Sequence, residues 1–164
     1  MVILPPEDVS AEIDKWRQIY DSHHKMVPPH ITLAFPFMPE HKWFQKRTAI
    51  ADYLRTFHTF GITLKELKEF TGSPLVLWLK PEDSGSVVRI HTALEEKFPD
   101  YFIDAEFTFT PHLTIGSFDS EAKLFQAKSK ITEELKPVYF QVSALVYMVL
   151  GDDKVWRHRD RIYF

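Results

Sequence analysis

Strand and helix patterns alternate along this chain, and they do so twice in the same order. That predicts a mixed α and β domain made of two similar halves. Three observations carry the expectation. Apolar residues switch repeatedly between period 2 and helical spacing. Each half reads strand, helix, strand, helix, strand. The middle strand of each half carries the same short pattern, Pro29-His30-Ile31-Thr32-Leu33 and Pro111-His112-Leu113-Thr114-Ile115. A chain of 164 residues suits one domain, 1–164, with halves of about 1–72 and 73–164 packed closely together.

The elements follow in order. Residues 2–4 are a short apolar strand, and Val9, Ile13, Trp16 and Tyr20 mark one face of a helix over 8–20. Pro28-Pro29 forbids helix and delivers the chain extended into His30. Pro39-Glu40 opens the next helix, with proline early and an acid in the first turn. Trp43, Ile50, Leu54 and Phe57 give that helix its apolar face, and it ends near His58. Residues 61–68 alternate on Ile62, Leu64 and Leu67, and residues 71–74 read as the joint between the halves.

The second half retraces the first. Residues 75–80 form a strand, and Val87, His91, Leu94 and Phe98 line a helix over 84–98. Phe107, Thr108, Phe109 and Thr110 alternate and lead through Pro111 into the second His/Thr strand. Asp119 or Ser120 caps a helix faced by Leu124, Ile131 and Leu135. Residues 138–150 read as one long strand, turned by Gly151-Asp152-Asp153 into a last strand over 154–164.

Composition narrows the function. A net charge of −3 argues against non-specific grip on long nucleic acid, yet leaves room for a small phosphorylated ligand. The absence of cysteine excludes disulfides, thiolate catalysis and cysteine metal sites. The first residues lack a signal peptide's basic start and apolar core, and no apolar run approaches the roughly 20 residues of a membrane span. The expectation is a cytoplasmic, soluble monomer with no membrane contact and no obligate protein partner.

The chemistry sits in the repeated pattern. On a strand, His and Thr of each copy point one way and the apolar pair the other. Cleaving a phosphoester needs a proton taken on one side of phosphorus and one given on the other. Histidine fills either role near neutral pH, and the hydroxyls of Thr32 and Thr114 are donors for the non-bridging oxygens. Two imidazoles and two hydroxyls thus cover acid, base and oxyanion without calling for a metal or other cofactor. A single HxT triplet reads as a structural histidine beside a good strand former; two copies in equivalent places read as a site. The catalytic candidates are His30, Thr32, His112 and Thr114, with His112 taken as base and His30 as acid, a choice that the symmetry barely supports. Two residues beyond each Thr stand Ala34 and Gly116, small residues expected on the same face to leave room for a ligand.

At these residues the chain resembles the two-histidine (2H) phosphoesterase superfamily, and within it the bacterial 2'-5' RNA ligase-like branch. His30-Ile31-Thr32-Leu33 and His112-Leu113-Thr114-Ile115 match its paired motifs, and the tail from Val142 and Leu145 to Trp156 and Phe164 is similar to its closing strands. The resemblance implies a bilobal, pseudo-twofold α+β fold with antiparallel sheets flanking a central cleft and helices outside. It also implies a metal-independent phosphodiesterase that opens cyclic phosphates or 2'-linked phosphodiesters. Nucleotides, RNA ends and ADP-ribose cyclic phosphate are the substrates it suggests. A nucleotide- or RNA-binding module using the same cleft is the alternative.

Other residues have plainer readings. Arg157, Arg159 and Arg161 share a face at period 2, as a phosphate wall or, more simply, as edge-strand charges. Tyr147 and Trp156 suit core packing before base stacking. Lys42, Lys46, Arg47 and Arg55 read as a solvated helix face, and the remaining histidines show no metal-ligand spacing.

Overall fold

The structure, a computed structural model, describes residues 1–102 and 108–164. Its strands are β1 (Val2–Ile3), β2 (Ile31–Thr32), β3 (Phe60–Phe70), β4 (Leu75–Glu82), β5 (Leu113–Phe118), β6 (Val138–Val142), β7 (Ala144–Leu150) and β8 (Trp156–Tyr163). The helices are α1 (Glu7–Tyr20), α2 (Glu40–Leu54), α3 (Ser86–Lys97) and α4 (Glu121–Glu134). All eight strands join one antiparallel sheet in the order β6-β3-β4-β5-β2-β1-β7-β8. This is the expected α+β fold, and the antiparallel sheets on either side of the cleft are the wings of one curled sheet. The backbone N–H of Phe164, just past β8, donates to the carbonyl of Ser143 between β6 and β7, so the curl brings the two edges together.

One core covers one face of this sheet. Ile31, Leu33, Leu113 and Ile115 are fully buried there, with Ile13 and Trp16 of α1, Trp43 and Ile50 of α2, Leu94 of α3 and Leu124 of α4. Burying each such side chain contributes about 1.5–3 kcal/mol, so period-2 alternation in β2 and β5 commits His30, Thr32, His112 and Thr114 to the opposite, open face. On that face a small second cluster of Val2, Val146 and Met148, with Leu4 and Trp156 against it, covers the β1–β7 region.

Several expectations change in detail. Residues 71–74 form the turn of the β3–β4 hairpin, whose paired residues run from Phe70 opposite Val76 to Thr63 opposite Glu82. The long strand expected over 138–150 is two strands on opposite wings, β6 against β3 and β7 between β1 and β8. The reason is a change of parity at Ser143: Phe140 and Val142 face the core before it, Leu145 and Tyr147 after it. In the expected alternation of residues 107–110, Phe107 lies outside the described residues, and Thr108, Phe109 and Thr110 form no strand. Asp83 receives the N–H groups of Gly85 and Val87 and so caps α3, while Asp119 pairs with Lys123 and Ser120 is the N-cap position of α4. No helix among the described residues is long and apolar enough to cross a membrane.

Candidate active site

Each motif histidine is held by the backbone two residues before it. His30 Nδ1 lies 2.9 Å from the Pro28 carbonyl oxygen, and His112 Nδ1 lies 2.8 Å from that of Thr110. A carbonyl only accepts, so Nδ1 carries a hydrogen in both rings and Nε2 is the nitrogen left to take or give a proton. The extended approach imposed by Pro28-Pro29 sets the first of these contacts, because it leaves the Pro28 carbonyl free of any helix ladder.

Strand register brings the two motifs together. Ile31 pairs with Leu113 across the β2–β5 junction. Because the strands are antiparallel, His30 stands level with Thr114 and Thr32 level with His112. Opposite residues have Cα atoms about 4.5–5.5 Å apart, and the two histidines, as diagonal neighbours, about 7–8 Å. The four side chains therefore form one half-buried patch at the centre of the open face.

The surroundings of the two histidines differ. Burial is the main reason the His30 pKa lies below its ordinary value. The Pro28 carbonyl partly offsets this by favouring the charged ring, while the positive charges of Arg17, His112 and the Met1 amino group add to the depression. His112 packs edge-on against Phe70, with ring centroids 5.1 Å apart, and against Trp78 at 5.9 Å. Beside His30 lies a cavity of about 200 Å³ lined by Val2, Thr32, Ala34, Phe35, Met148 and Trp156. Phe35 and Trp156 meet edge to face at 5.6 Å, and Phe35 is 70% exposed.

The two small residues part company here. Ala34 does line the cavity, but Gly116 faces α1. A β-bulge at Ile115 turns Gly116 to pair with Leu77, and a Cβ there would lie 2.5 Å from the Tyr20 carbonyl oxygen. It is small so that α1 can approach β5, not to make room for a ligand. A second bulge, at Arg159, breaks the expected arginine face. Arg157 pairs with Asp153, Arg159 with Glu40, and Arg161 lies opposite Val146 in a row with Val2 and Thr32 on the open face. Tyr147 is a core residue, stacked on Trp43 at 4.2 Å with its hydroxyl donating to the Met38 carbonyl; burial pushes its pKa up to about 12. Arg47 holds Asp160, and Arg55 holds Asp52.

Sequence reasoning does not single out Phe35, Phe70 or Trp78, because aromatics are so abundant in this chain; for Phe35 the one local signal is its place just after the motif and before Pro36.

Residues 5–154 match the family model described as the 2'-5' RNA ligase superfamily. The chain belongs to that superfamily of 2H phosphoesterases. Among its relatives, a protein of Geobacillus kaustophilus (strain HTA426) named "Putative phosphoesterase GK0864" is 31% identical over 145 residues, covering 86% of this chain and 80% of that one. A Bacillus cereus (strain ATCC 10987 / NRS 248) protein named "Putative phosphoesterase" is 26% identical with the same coverage. "Putative phosphoesterase GWCH70_0799" of Geobacillus sp. (strain WCH70) is 32% identical over 120 residues, 71% of this chain and 66% of that one. The superfamily thus covers both HxT segments and the strands that carry them.

Proposed function

We propose that this member of the superfamily is a metal-independent phosphodiesterase that opens cyclic phosphates, or cleaves 2'-linked phosphodiesters, of nucleotides or RNA ends. One observation carries the reading: two imidazoles anchored in the same way on adjacent antiparallel strands, each level with the other motif's threonine. A phosphate placed between them meets a nitrogen lone pair on one side and a proton donor on the other.

For the roles of the two histidines we favour the reverse of the sequence expectation. Burial lowers the His30 pKa and so favours its neutral ring, which suits His30 to the base and leaves the acid's part to His112. His30 Nε2 takes a proton from water as the water oxygen bonds to phosphorus. The bond from phosphorus to the 2' or 3' oxygen breaks, and protonated His112 gives its Nε2 proton to that leaving oxygen. Thr32 and Thr114 hydroxyls donate to the non-bridging oxygens. The cavity beside His30, with Phe35 and Trp156 as aromatic walls, takes the base.

The test is hydrolysis of a panel of 2',3'-cyclic nucleotides in chelator by wild type, His30→Ala and His112→Ala. Turnover should survive the chelator and fall by about 10²–10⁴-fold in each variant. Loss of turnover on chelation overturns the metal-independent mechanism. Tight nucleotide binding with no turnover by wild type returns the site to a binding module.

A further inference from the structure

We propose that the buried Arg17–Asp21 pair is a positioning device for His30, clasping both ends of the segment whose carbonyl holds the imidazole. This rests on the reading of His30 as a reacting group. Arg17 is only 2% exposed, which is unusual for an arginine at the end of a surface helix. Its Nε and Nη2 both donate to Asp21 Oδ2, at 3.1 and 2.8 Å, and Nη1 donates to Asp14 Oδ1 at 3.0 Å. Nη2 also donates to the Val27 carbonyl at 2.8 Å.

Asp21 is where the chain leaves α1, and Val27 is the residue before Pro28. A single planar guanidinium therefore fixes the start and the end of residues 21–27. Asp21 Oδ1 also accepts the His23 N–H at 2.9 Å, and the Met26 carbonyl accepts the Trp156 N–H at 2.7 Å. The segment is thus tied inward by Arg17 and sideways to β8, and it presents the Pro28 carbonyl to His30 Nδ1. Partners of this kind behind a functional imidazole fix its tautomer and ring orientation. The geometry demands a fork. A lysine ammonium reaching Asp21 lacks the planar array of donors that spans two carboxylates and a carbonyl at once.

The charge of the clasp acts in the same sense as its geometry. The Arg17 guanidinium opposes a proton on the His30 ring, as His112 and the Met1 amino group do when they are themselves protonated; burial lowers the pKa of that amino group to about 5. Removing the guanidinium thus loosens the ring and makes it easier to protonate.

Nuclear magnetic resonance of the histidine rings in the full chain separates these effects from mere stability. Wild-type His30 should show one tautomer, with hydrogen on Nδ1. The double variant Arg17→Met/Asp21→Asn leaves no unpaired charge at these two buried positions. It should show mixed tautomers and a higher His30 titration midpoint, with His112 unchanged in tautomer. Cyclic-nucleotide kcat/KM should drop about 10–100-fold, the scale of a small misplacement of a reacting group. Arg17→Lys should keep the midpoint near wild type yet show the tautomer mixing and the lower rate.

A folded double variant with wild-type tautomer, midpoint and rate overturns the proposal. Should that variant not fold, Arg17→Lys decides by the same criterion: unmixed tautomer and unchanged rate overturn the clasp. If no protein turns over any substrate, the phosphodiesterase reading fails while the ring spectra still decide whether Arg17 positions His30.

Discussion

His30 and His112 have the same anchor and different neighbours, and in the proposed mechanism the difference is what gives each a separate task. A carbonyl on Nδ1 orients both rings. Burial and nearby positive charge then keep His30 neutral to lower pH than an ordinary histidine. The rate against pH should accordingly be bell-shaped. Its acid limb belongs to His30 and lies below the ordinary histidine value of about 6.5, since rate is gained as the base loses its proton. Its alkaline limb belongs to the proton-donating group, since rate is lost once that group has given up its proton. Measuring kcat/KM from pH 4.5 to 9 on one cyclic nucleotide checks this, and a rate that only climbs with pH would falsify the assignment. At this scale the sequence singles out candidates where identity is chemistry, as in the four motif residues. It was silent on what sets the proton affinities, because Arg17 and the Pro28 carbonyl act through contacts that spacing does not reveal.

Elements were legible wherever one periodicity runs unbroken. All four helices were readable from their apolar faces, and so were β3 and β4 as strands, though not the hairpin that residues 71–74 close between them. What the pattern hid was the change of parity at Ser143 between β6 and β7 and at the bulges at Ile115 and Arg159. A bulge adds one residue to one strand and moves everything beyond it to the other face. That is why Gly116 reads as room for a ligand in the sequence and is a packing glycine in the fold. The distinction predicts a divided phenotype for Gly116→Val. Its side chain meets the backbone of Tyr20, which cannot rotate away, so α1 must shift. The cost should be about 1–3 kcal/mol in urea unfolding. Turnover by the folded protein should stay within about twofold in the terms of transition-state arithmetic. Loss of activity at unchanged stability would instead return Gly116 to the site.

At the scale of the whole molecule, the order of strands matters more than the repeat in the sequence. The strand β3 comes from the first half of the chain, yet both its partners, β4 and β6, come from the second. Conversely, β7 lies between β8 and β1, the first strand of all. Helix α1 packs on β5, and α2 holds β8 through Trp43 and Arg47, both of which donate to Asp160. Each wing is therefore built from both ends of the chain. The site lies where the wings meet, and only one of its two His/Thr pairs comes from each half. Separate fragments 1–72 and 73–164 should consequently fail to fold alone. In the first, only the two-residue strands β1 and β2 keep their pairing and β3 has no partner; two short paired strands are marginal in water. The second keeps the β4–β5 and β7–β8 pairs, but loses the helices that cover β5 and β8 and leaves β6 unpaired. Neither fragment should melt cooperatively by circular dichroism. An equimolar mixture should recover both a cooperative transition and cyclic-nucleotide turnover, because the interleaved strands reform one sheet and reunite the histidines. Cooperative melting of 73–164 by itself would show that the second half carries a sufficient core, and that the crossed pairing of β3 and β7 fastens two units able to stand apart.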